Sequence, residues 1–161
     1  MGLSENKKAV IVENQAYYLR DIEEADRGAF LKLMREHRWF GMLLRSLDAG
    51  EESNGDNLLW DVYTKEGKTY MVCSKDTQEV IGNFYVEEQE DSSPNMTIQF
   101  QQGTECNDAI VELVRDFVNV LNKEYGIKAM IVFVNSELER NIFETLGYEK
   151  VSEEVLIALP V

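Results

Sequence analysis

The most regular hydrophobic pattern of the chain lies in its second half. Apolar residues recur at helical spacing over residues 110–121, with Asn107 or Asp108 as the N-cap and Gly126 as a left-handed C-cap. The stretch 127–134 that follows is apolar at all but one position, which is typical of a strand buried on both faces. If this strand runs parallel to the one before the helix, the pattern predicts a right-handed β-α-β crossover.

Shorter patterns predict the other elements. Apolar alternation indicates strands at residues 17–20, 69–74, 80–87 and 96–100, and one or two more within 148–159. Helical spacing indicates helices at residues 23–38, 42–47, 58–63 and 137–146, the last capped by Ser136 or Asn135. Residues 75–78 form a hairpin loop, and Gly82 inside the following strand predicts a bulge or a close backbone approach.

Composition narrows the class of protein. The 161 residues suit one domain over 1–161, in which residues 1–15 are expected to be poorly ordered or an edge strand. Hydrophobic residues make up 44% of the chain, which excludes a disordered protein. A formal charge of −14 makes this an acidic protein and argues against nucleic-acid and membrane partners. Two cysteines and the lack of a leader or spanning segment predict free thiols and a cytoplasmic location.

The order β, α-α, β-β-β, α, β, α, β resembles that of the GNAT-type (GCN5-related) N-acetyltransferases over nearly the whole chain. Three segments carry the resemblance: YLRDIEEAD at 18–26, the hairpin YMVCSKDTQEVIG at 70–82, and the block from 98 to 148 that ends in Leu-Gly-Tyr. The resemblance implies an α+β fold. Its mixed, mostly antiparallel sheet would have six to seven strands, with helices on both faces.

The resemblance also implies that acetyl-CoA binds between the strands 96–100 and 127–134. The family's phosphate loop, Gln/Arg-x-x-Gly-x-Gly/Ala, maps to residues 101–106, where backbone N–H groups and the following helix dipole would hold the pyrophosphate. The implied cofactor-binding residues are Gln99, Gln102, Gly103, Thr104, Glu105, Cys106, Asn107, Ser136 and Phe143.

The loop departs from the family pattern in its glycines and in its charge. Gln102 and Thr104 stand where glycines are usual, and we expect them to reach a positive φ only with strain. Between Lys75 and Arg115 the chain has nine carboxylates and no Lys or Arg. Carboxylates near a helix N-terminus compete with a phosphate for the helix dipole, so these changes are expected to weaken CoA binding.

The implied chemistry is direct attack of an amine on a thioester, which needs a base. Glu87 and Glu88, at the end of the previous strand, are the nearest candidates, although solvated residues at a strand end are the favoured interpretation of both. Gln99 can bind substrate or orient a water, or it can be an outward strand residue. Phe143 stands where many members have a tyrosine that protonates the leaving thiolate, and Ser136 stands in the slot of the cofactor-side Asn.

Other reactive residues fit structural roles better. Cys106 at a helix N-terminus is interpreted as a small buried side chain and not as a nucleophile. His37, the only histidine, lies on the apolar stripe of the first helix, and Trp39, Phe40 and Trp60 are expected to pack that helix layer on the sheet. A single histidine and separated cysteines predict no metal site.

We therefore expect an acetyl-CoA-dependent N-acetyltransferase that modifies an amine-bearing small molecule or peptide. The acidic residues around 87–91 favour a basic acceptor, and a homodimer is compatible with the fold. The alternative is a catalytically lapsed protein of the same fold that acts as a binding or interaction module.

Overall fold

The computed structural model describes residues 10–36, 57, 59–66, 68–87, 94–126, 130–134, 136–150 and 155–158. The strands are β1 (Val10–Glu13), β2 (Tyr17–Asp21), β3 (Lys68–Ser74), β4 (Val80–Glu87), β5 (Asn95–Phe100), β6 (Met130–Phe133), β7 (Glu149–Lys150) and β8 (Val155–Ala158). The helices are α1 (Arg27–Glu36), α2 (Asp108–Tyr125) and α3 (Glu137–Thr145). A short 3-10 helix at Glu24–Asp26 precedes α1, and a π-helical turn at Val62–Glu66 precedes β3.

All eight strands form one sheet in the order β1-β2-β3-β4-β5-β6-β8-β7. Among the described strands, β5 and β6 pair in parallel and every other neighbouring pair is antiparallel. The predicted α+β class, mixed sheet and β-α-β crossover are therefore confirmed. The sheet has more strands than the six to seven expected, because β1 adds an edge strand and the last segment divides into β7 and β8.

Helices pack on both faces of the sheet, as predicted. On one face, α2 and α3 bury their apolar stripes against β3, β4 and β5; for example, Phe117 lies 5.1 Å from Tyr70 and 5.2 Å from Phe84 between ring centroids. On the other face, α1 and the π-helical turn cover Met71 and Tyr85 with a second apolar cluster. Because side chains alternate along each strand, β4 and β5 present different residues to the two helical layers.

The predicted helix caps are present. The Asn107 side chain accepts a hydrogen bond from the Ile110 N–H at the start of α2, and Gly126 ends that helix with a φ of 66°. Ser136 caps α3 in the same manner. Of the paired alternatives, Asn107 is thus the cap of α2 and Ser136 the cap of α3, which fixes where each helix begins relative to the sheet.

The entry to α1 is held by an ion pair. Both guanidinium N–H groups of Arg20 donate to the carboxylate of Asp26, at 2.7 and 2.9 Å, and the Glu23 N–H donates to the same carboxylate at 2.8 Å. Only 16% of the Arg20 side chain and 7% of the Asp26 side chain are exposed. This hydrogen bond to Asp26 raises the pKa of Arg20 further above its ordinary value. The pair therefore joins β2 to the start of α1 in a largely desolvated setting.

Gly82 marks an irregularity in the β3–β4 pairing, as the sequence predicts. The register shifts between Val72 and Cys73, opposite this glycine. A Cβ atom at Gly82 would lie 2.4 Å from the backbone oxygen of Gln99 and 2.9 Å from the Phe100 ring. The close approach of β4 to the end of β5 therefore needs a residue without a side chain.

Several predictions lie outside the described residues. These are the helix at 42–47, the positions of His37, Trp39, Phe40, Glu88 and Asn135, and any structure in residues 1–9. Trp60 is described, and it packs edge-on against Phe30 at 5.6 Å, as expected of a residue between the helix layer and the sheet. Among the described residues, no helix combines the length and apolar character needed to cross a bilayer.

Candidate functional site

β5 continues beyond the end of β6, and we call the side of its last three residues that faces away from β4 the gap between β5 and β6. Their parallel pairing runs from Asn95 opposite Ile131 to Thr97 opposite Phe133, whereas β5 continues to Phe100. The last three residues of β5 therefore extend past the described pairing with β6. The gap begins at the Thr97–Phe133 pair, which we call the vertex.

Backbone groups of β5 point into this gap. Gln101 donates to Ile81 at 2.8 Å, so the register places the hydrogen-bonding groups of the odd-numbered residues of β5 toward β4. The groups of Ile98 and Phe100 therefore face β6 and, beyond the vertex, the gap. A strand edge of this kind offers a carbonyl oxygen and an N–H group to an extended ligand.

The loop between β5 and α2 is a tight turn closed on Gln101. The backbone N–H of Thr104 and its hydroxyl both donate to the Gln101 oxygen, at 3.2 and 2.7 Å. Gly103 has a φ of 87°, and neither Gln102 nor Thr104 is among the described residues with a positive φ. The expectation of strain at those two positions is therefore wrong, because the single glycine occupies the position that requires it.

The loop retains unpaired donors at the N-terminus of α2. The backbone N–H groups of Gly103, Glu105 and Cys106 have no acceptor among the described residues. The Gln102 N–H does have one, the Oε1 atom of Glu36 on α1, at 3.1 Å. Convergent N–H groups before a helix favour an anion, and here one of them already holds a carboxylate.

A cleft of about 350 Å³ lies beside the loop. It is lined by Glu36 of α1, by residues 100–104, and by residues 136–139 at the start of α3. Of the described residues that line it, three are glutamates (Glu36, Glu137 and Glu139) and none is Lys or Arg. The cleft therefore lies between the end of β5, the loop and the start of α3, and its described walls are acidic.

The structure brings four of the predicted cofactor-binding residues to this cleft, namely Gln102, Gly103, Thr104 and Ser136. Glu105, Cys106 and Asn107 are exposed on the approach to α2 but do not line the cleft. The cysteines Cys73 and Cys106 are both free thiols, as predicted, but Cys106 is exposed and not buried.

Ser136 and Phe143 have clear structural roles in α3. The Ser136 hydroxyl donates to the Glu139 carboxylate at 2.8 Å and accepts from the Glu139 N–H at 3.4 Å, which closes the first turn of the helix. Phe143 is fully buried and stacks on Tyr148, with ring centroids 5.1 Å apart. Burial raises the pKa of Tyr148 to about 12. The structure thus places Phe143 in the core and not on the cleft surface.

A buried pair of amides lies on the α1 face of the sheet. Gln99 of β5 is directly opposite Asn83 of β4, and their exposed fractions are 0% and 1%. Within the part of the chain that the structure describes, the amide oxygen and nitrogen of both side chains lack a hydrogen-bond partner. Each unmet amide costs about 1–3 kcal/mol, so a pair of them is a feature typical of a functional site.

Tyr85 and Glu87 of β4 lie on the same face of the sheet as the amide pair. Glu87 lies opposite Asn95, and the Tyr85 hydroxyl donates to Glu87 Oε2 at 2.9 Å. From the spacings within a sheet, Glu87 is roughly 8 Å from the backbone at Thr97, the vertex residue of β5. Glu87 and Gln99 therefore flank the vertex on the α1 face, one on each side along the strands.

Sequence reasoning missed three residues of this region, Glu36, Asn83 and Tyr85. Glu36 contacts a loop that lies 66 residues later in the chain, a contact that no local pattern reports. Asn83 could have been found from its position, because an amide next to Gly82 in an otherwise apolar strand is unusual. Among the described residues, no group of three or more His, Cys, Asp or Glu side chains is arranged to hold a metal ion.

Solved structures share this architecture. An acetyltransferase of the GNAT family from Bacillus anthracis superposes with a TM-score of 0.66 at 10% identity, over 94% of this chain and 98% of that one. The spermidine N-acetyltransferase of Vibrio cholerae, solved with CoA and spermine, gives 0.65 at 12% identity, over 91% and 96%. RimL, a ribosomal protein acetyltransferase solved with coenzyme A, gives 0.66 at 10% identity, over 94% and 98%.

Sequence comparison adds nothing to this likeness, since no family model and no curated protein matches the chain. The superpositions establish the fold. At identities of 10–12%, the chemistry has to be argued from the residues of this chain.

Proposed function

Because the chain has the GNAT fold, we propose that it is an N-acyltransferase that moves an acetyl group from acetyl-CoA to an amine. The observation that carries this proposal is the gap between β5 and β6, with the unpaired donors of the loop at its mouth. A strand edge followed by an anion-binding turn suits a ligand made of an extended amide chain and a pyrophosphate.

The chain would bind the acyl donor through backbone groups. The N–H groups of Gly103, Glu105 and Cys106 would hold the pyrophosphate, and Asn107 would keep them in place by capping α2. The open edge of β5 at Ile98 and Phe100 would bind the amide chain. A backbone N–H at this edge would also polarise the thioester carbonyl as the amine attacks it.

Glu87 would serve as the general base, acting through a bridging water because it is roughly 8 Å from the vertex. The hydrogen bond from Tyr85 keeps its carboxylate on the α1 face. The bond from the amine nitrogen to the acetyl carbon forms, the bond from that carbon to sulfur breaks, and the amine proton passes to Glu87. Phe143 has no proton to give, so solvent would protonate the thiolate.

Gln99 and Asn83 would bind the reacting groups near the vertex. Their four buried polar atoms have no partner among the described residues, and an incoming amine or carbonyl can satisfy them. The acidic residues make a cationic amine in a small molecule or a peptide the favoured acceptor. The cytoplasm, where the acyl donor is available, is the proposed location, and a homodimer is compatible with this assignment.

One feature favours the alternative, a non-catalytic binding module. The described residues of the cleft walls include carboxylates and no Lys or Arg, although the pyrophosphate is an anion. The lapsed protein would keep the gap and the loop but would not bind the donor.

Binding of CoA separates the two proposals. In calorimetry and thermal-shift titrations, we expect saturable binding of CoA and acetyl-CoA tighter than about millimolar. Ligand at ten times its Kd should then stabilise the fold by about 1.4 kcal/mol. Pantetheine, which lacks the pyrophosphate, is the matched control and should bind more weakly than CoA. No response to millimolar CoA would remove the acyltransferase proposal and leave the binding module.

The substitution Gln99→Met tests the amide pair, because methionine keeps the side-chain length and removes both polar atoms. We expect stability to rise by about 1 kcal/mol, since an unmet amide is lost. The rate of CoA release with spermidine or short peptides as acceptors should fall about tenfold.

The variant Glu87→Gln should lower the same rate without a gain in stability, because its polar atoms remain. Retention of the full rate by Gln99→Met would show that the amide is only a tolerated defect of the core.

A further inference from the structure

The contact between Glu36 and the loop joins two parts of the proposed site. Glu36 lies in the last described turn of α1, and its Oε1 atom accepts the hydrogen bond of the Gln102 N–H at 3.1 Å. The same helix packs against the α1 face of the sheet through Phe30, Leu33 and Met34. One helix therefore contacts the loop and packs on the sheet face that carries the amides.

A carboxylate and a phosphate present similar oxygen acceptors to a backbone N–H group. The backbone of Gln102 has one N–H group. It can donate a full hydrogen bond either to Glu36 or to a ligand oxygen in the same place, but not to both at once. A negative charge at this position also repels a second anion. Glu36 thus stands in the structure as an internal anion at the mouth of the loop.

We propose that Glu36 is an internal competitor of the acyl donor. In the free protein its carboxylate occupies the Gln102 N–H, and binding of the pyrophosphate displaces it. Displacement removes the contact between the end of α1 and the loop. Binding of the pyrophosphate at the loop thereby changes how α1 is held on the sheet face that carries Asn83 and Gln99. This inference rests on the proposed function, because it takes the loop to be the pyrophosphate site.

The consequence is a change in the contacts of α1 when the donor binds. While Glu36 holds the loop, α1 stays packed on the sheet face that carries the buried amide pair. When the donor takes the N–H group, the last turn of α1 loses its contact with the loop. When the acceptor amine then binds, α1 is held in place by fewer contacts.

The test compares charge removal at two glutamates near the loop. Glu36→Gln and Glu36→Ala remove the carboxylate that contacts Gln102, whereas Glu105→Gln removes an equal charge that does not line the cleft. We expect both Glu36 variants to bind CoA about tenfold more tightly than the wild type, a change of about 1.4 kcal/mol. Glu105→Gln should tighten CoA binding about twofold at most, and pantetheine should bind equally to all four proteins.

The backbone resonance of Gln102 gives a second readout without ligand. Its N–H signal should move in both Glu36 variants and should exchange faster with solvent, while Glu105→Gln leaves it in place. Equal CoA affinities in Glu36→Gln and Glu105→Gln would overturn the inference and leave the acyltransferase proposal standing. If neither the wild type nor any variant binds CoA, the proposed function itself fails.

Discussion

Asp26→Ala is expected to lower the free energy of unfolding by about 3–5 kcal/mol, because it leaves a largely buried guanidinium without its partner. Arg20 donates two hydrogen bonds to this carboxylate and one more, at 3.1 Å, to the Asp21 backbone oxygen, so Asp26 is its only charged acceptor in the described residues. The Glu23 N–H depends on the same carboxylate. With only 16% of the Arg20 side chain exposed, water cannot replace the lost acceptor fully. The expected loss of stability is the free-energy penalty of burying an unpaired charge, which is larger than the net contribution of the ion pair to stability.

Urea unfolding followed by circular dichroism measures this loss. Glu24→Ala is the matched control, because Glu24 is an exposed carboxylate two residues away, and its removal should change stability by less than about 0.5 kcal/mol. The double variant Arg20→Met with Asp26→Leu should recover most of the loss, since a buried pair can be replaced by apolar side chains. A loss below about 1 kcal/mol in Asp26→Ala would mean that Arg20 finds another partner.

Gly82→Ala should destabilise the protein by about 3 kcal/mol, the upper part of the range for overpacked cores. The added methyl group would meet the Gln99 oxygen, a backbone atom that moves only with its strand. To make room, β4 and the end of β5 must separate. Because Phe100 lines the cleft, the same shift should also weaken CoA binding.

Gly28→Ala provides the control for Gly82→Ala. A Cβ at Gly28 would meet nothing within 4 Å, and this position lies in the first turn of α1. Alanine should therefore raise stability, by about 0.5–1 kcal/mol, through helix propensity alone. Thermal unfolding of the two variants should give shifts of opposite sign, and equal shifts would contradict the steric account.

The fold could be predicted because its signals are local. Hydrophobic spacing located α2, Asn107 and Gly126 gave its ends, and the apolar run after it identified β6. The position of Gly82 was also informative, since a glycine inside a strand often marks a bulge or a close backbone approach. Each of these signals depends on residues close together in the chain.

The site could be predicted only in part, because its decisive contacts are not local. The loop was located from its place between β5 and α2, but the occupant of its Gln102 N–H comes from α1. The pairing of Asn83 with Gln99 depends on the register of two strands, which the sequence does not specify alone. We expected strain at Gln102 and Thr104 because the loop has few glycines. Strain depends instead on which residue has the positive φ, and that residue is Gly103.

The β1–β2 hairpin at the edge of the sheet limits how far the chain can be shortened from its N-terminus. Asn14 closes the turn between β1 and β2 by accepting the N–H groups of Ala16 and Tyr17, and its amide nitrogen donates to the Ala109 oxygen in the first turn of α2. Asn107 in turn donates to the Tyr17 hydroxyl. A protein that began at residue 17 would lose the clamp on α2 and, with it, part of the support of the loop. The N-terminal hairpin thus belongs to the minimal unit for ligand-binding experiments.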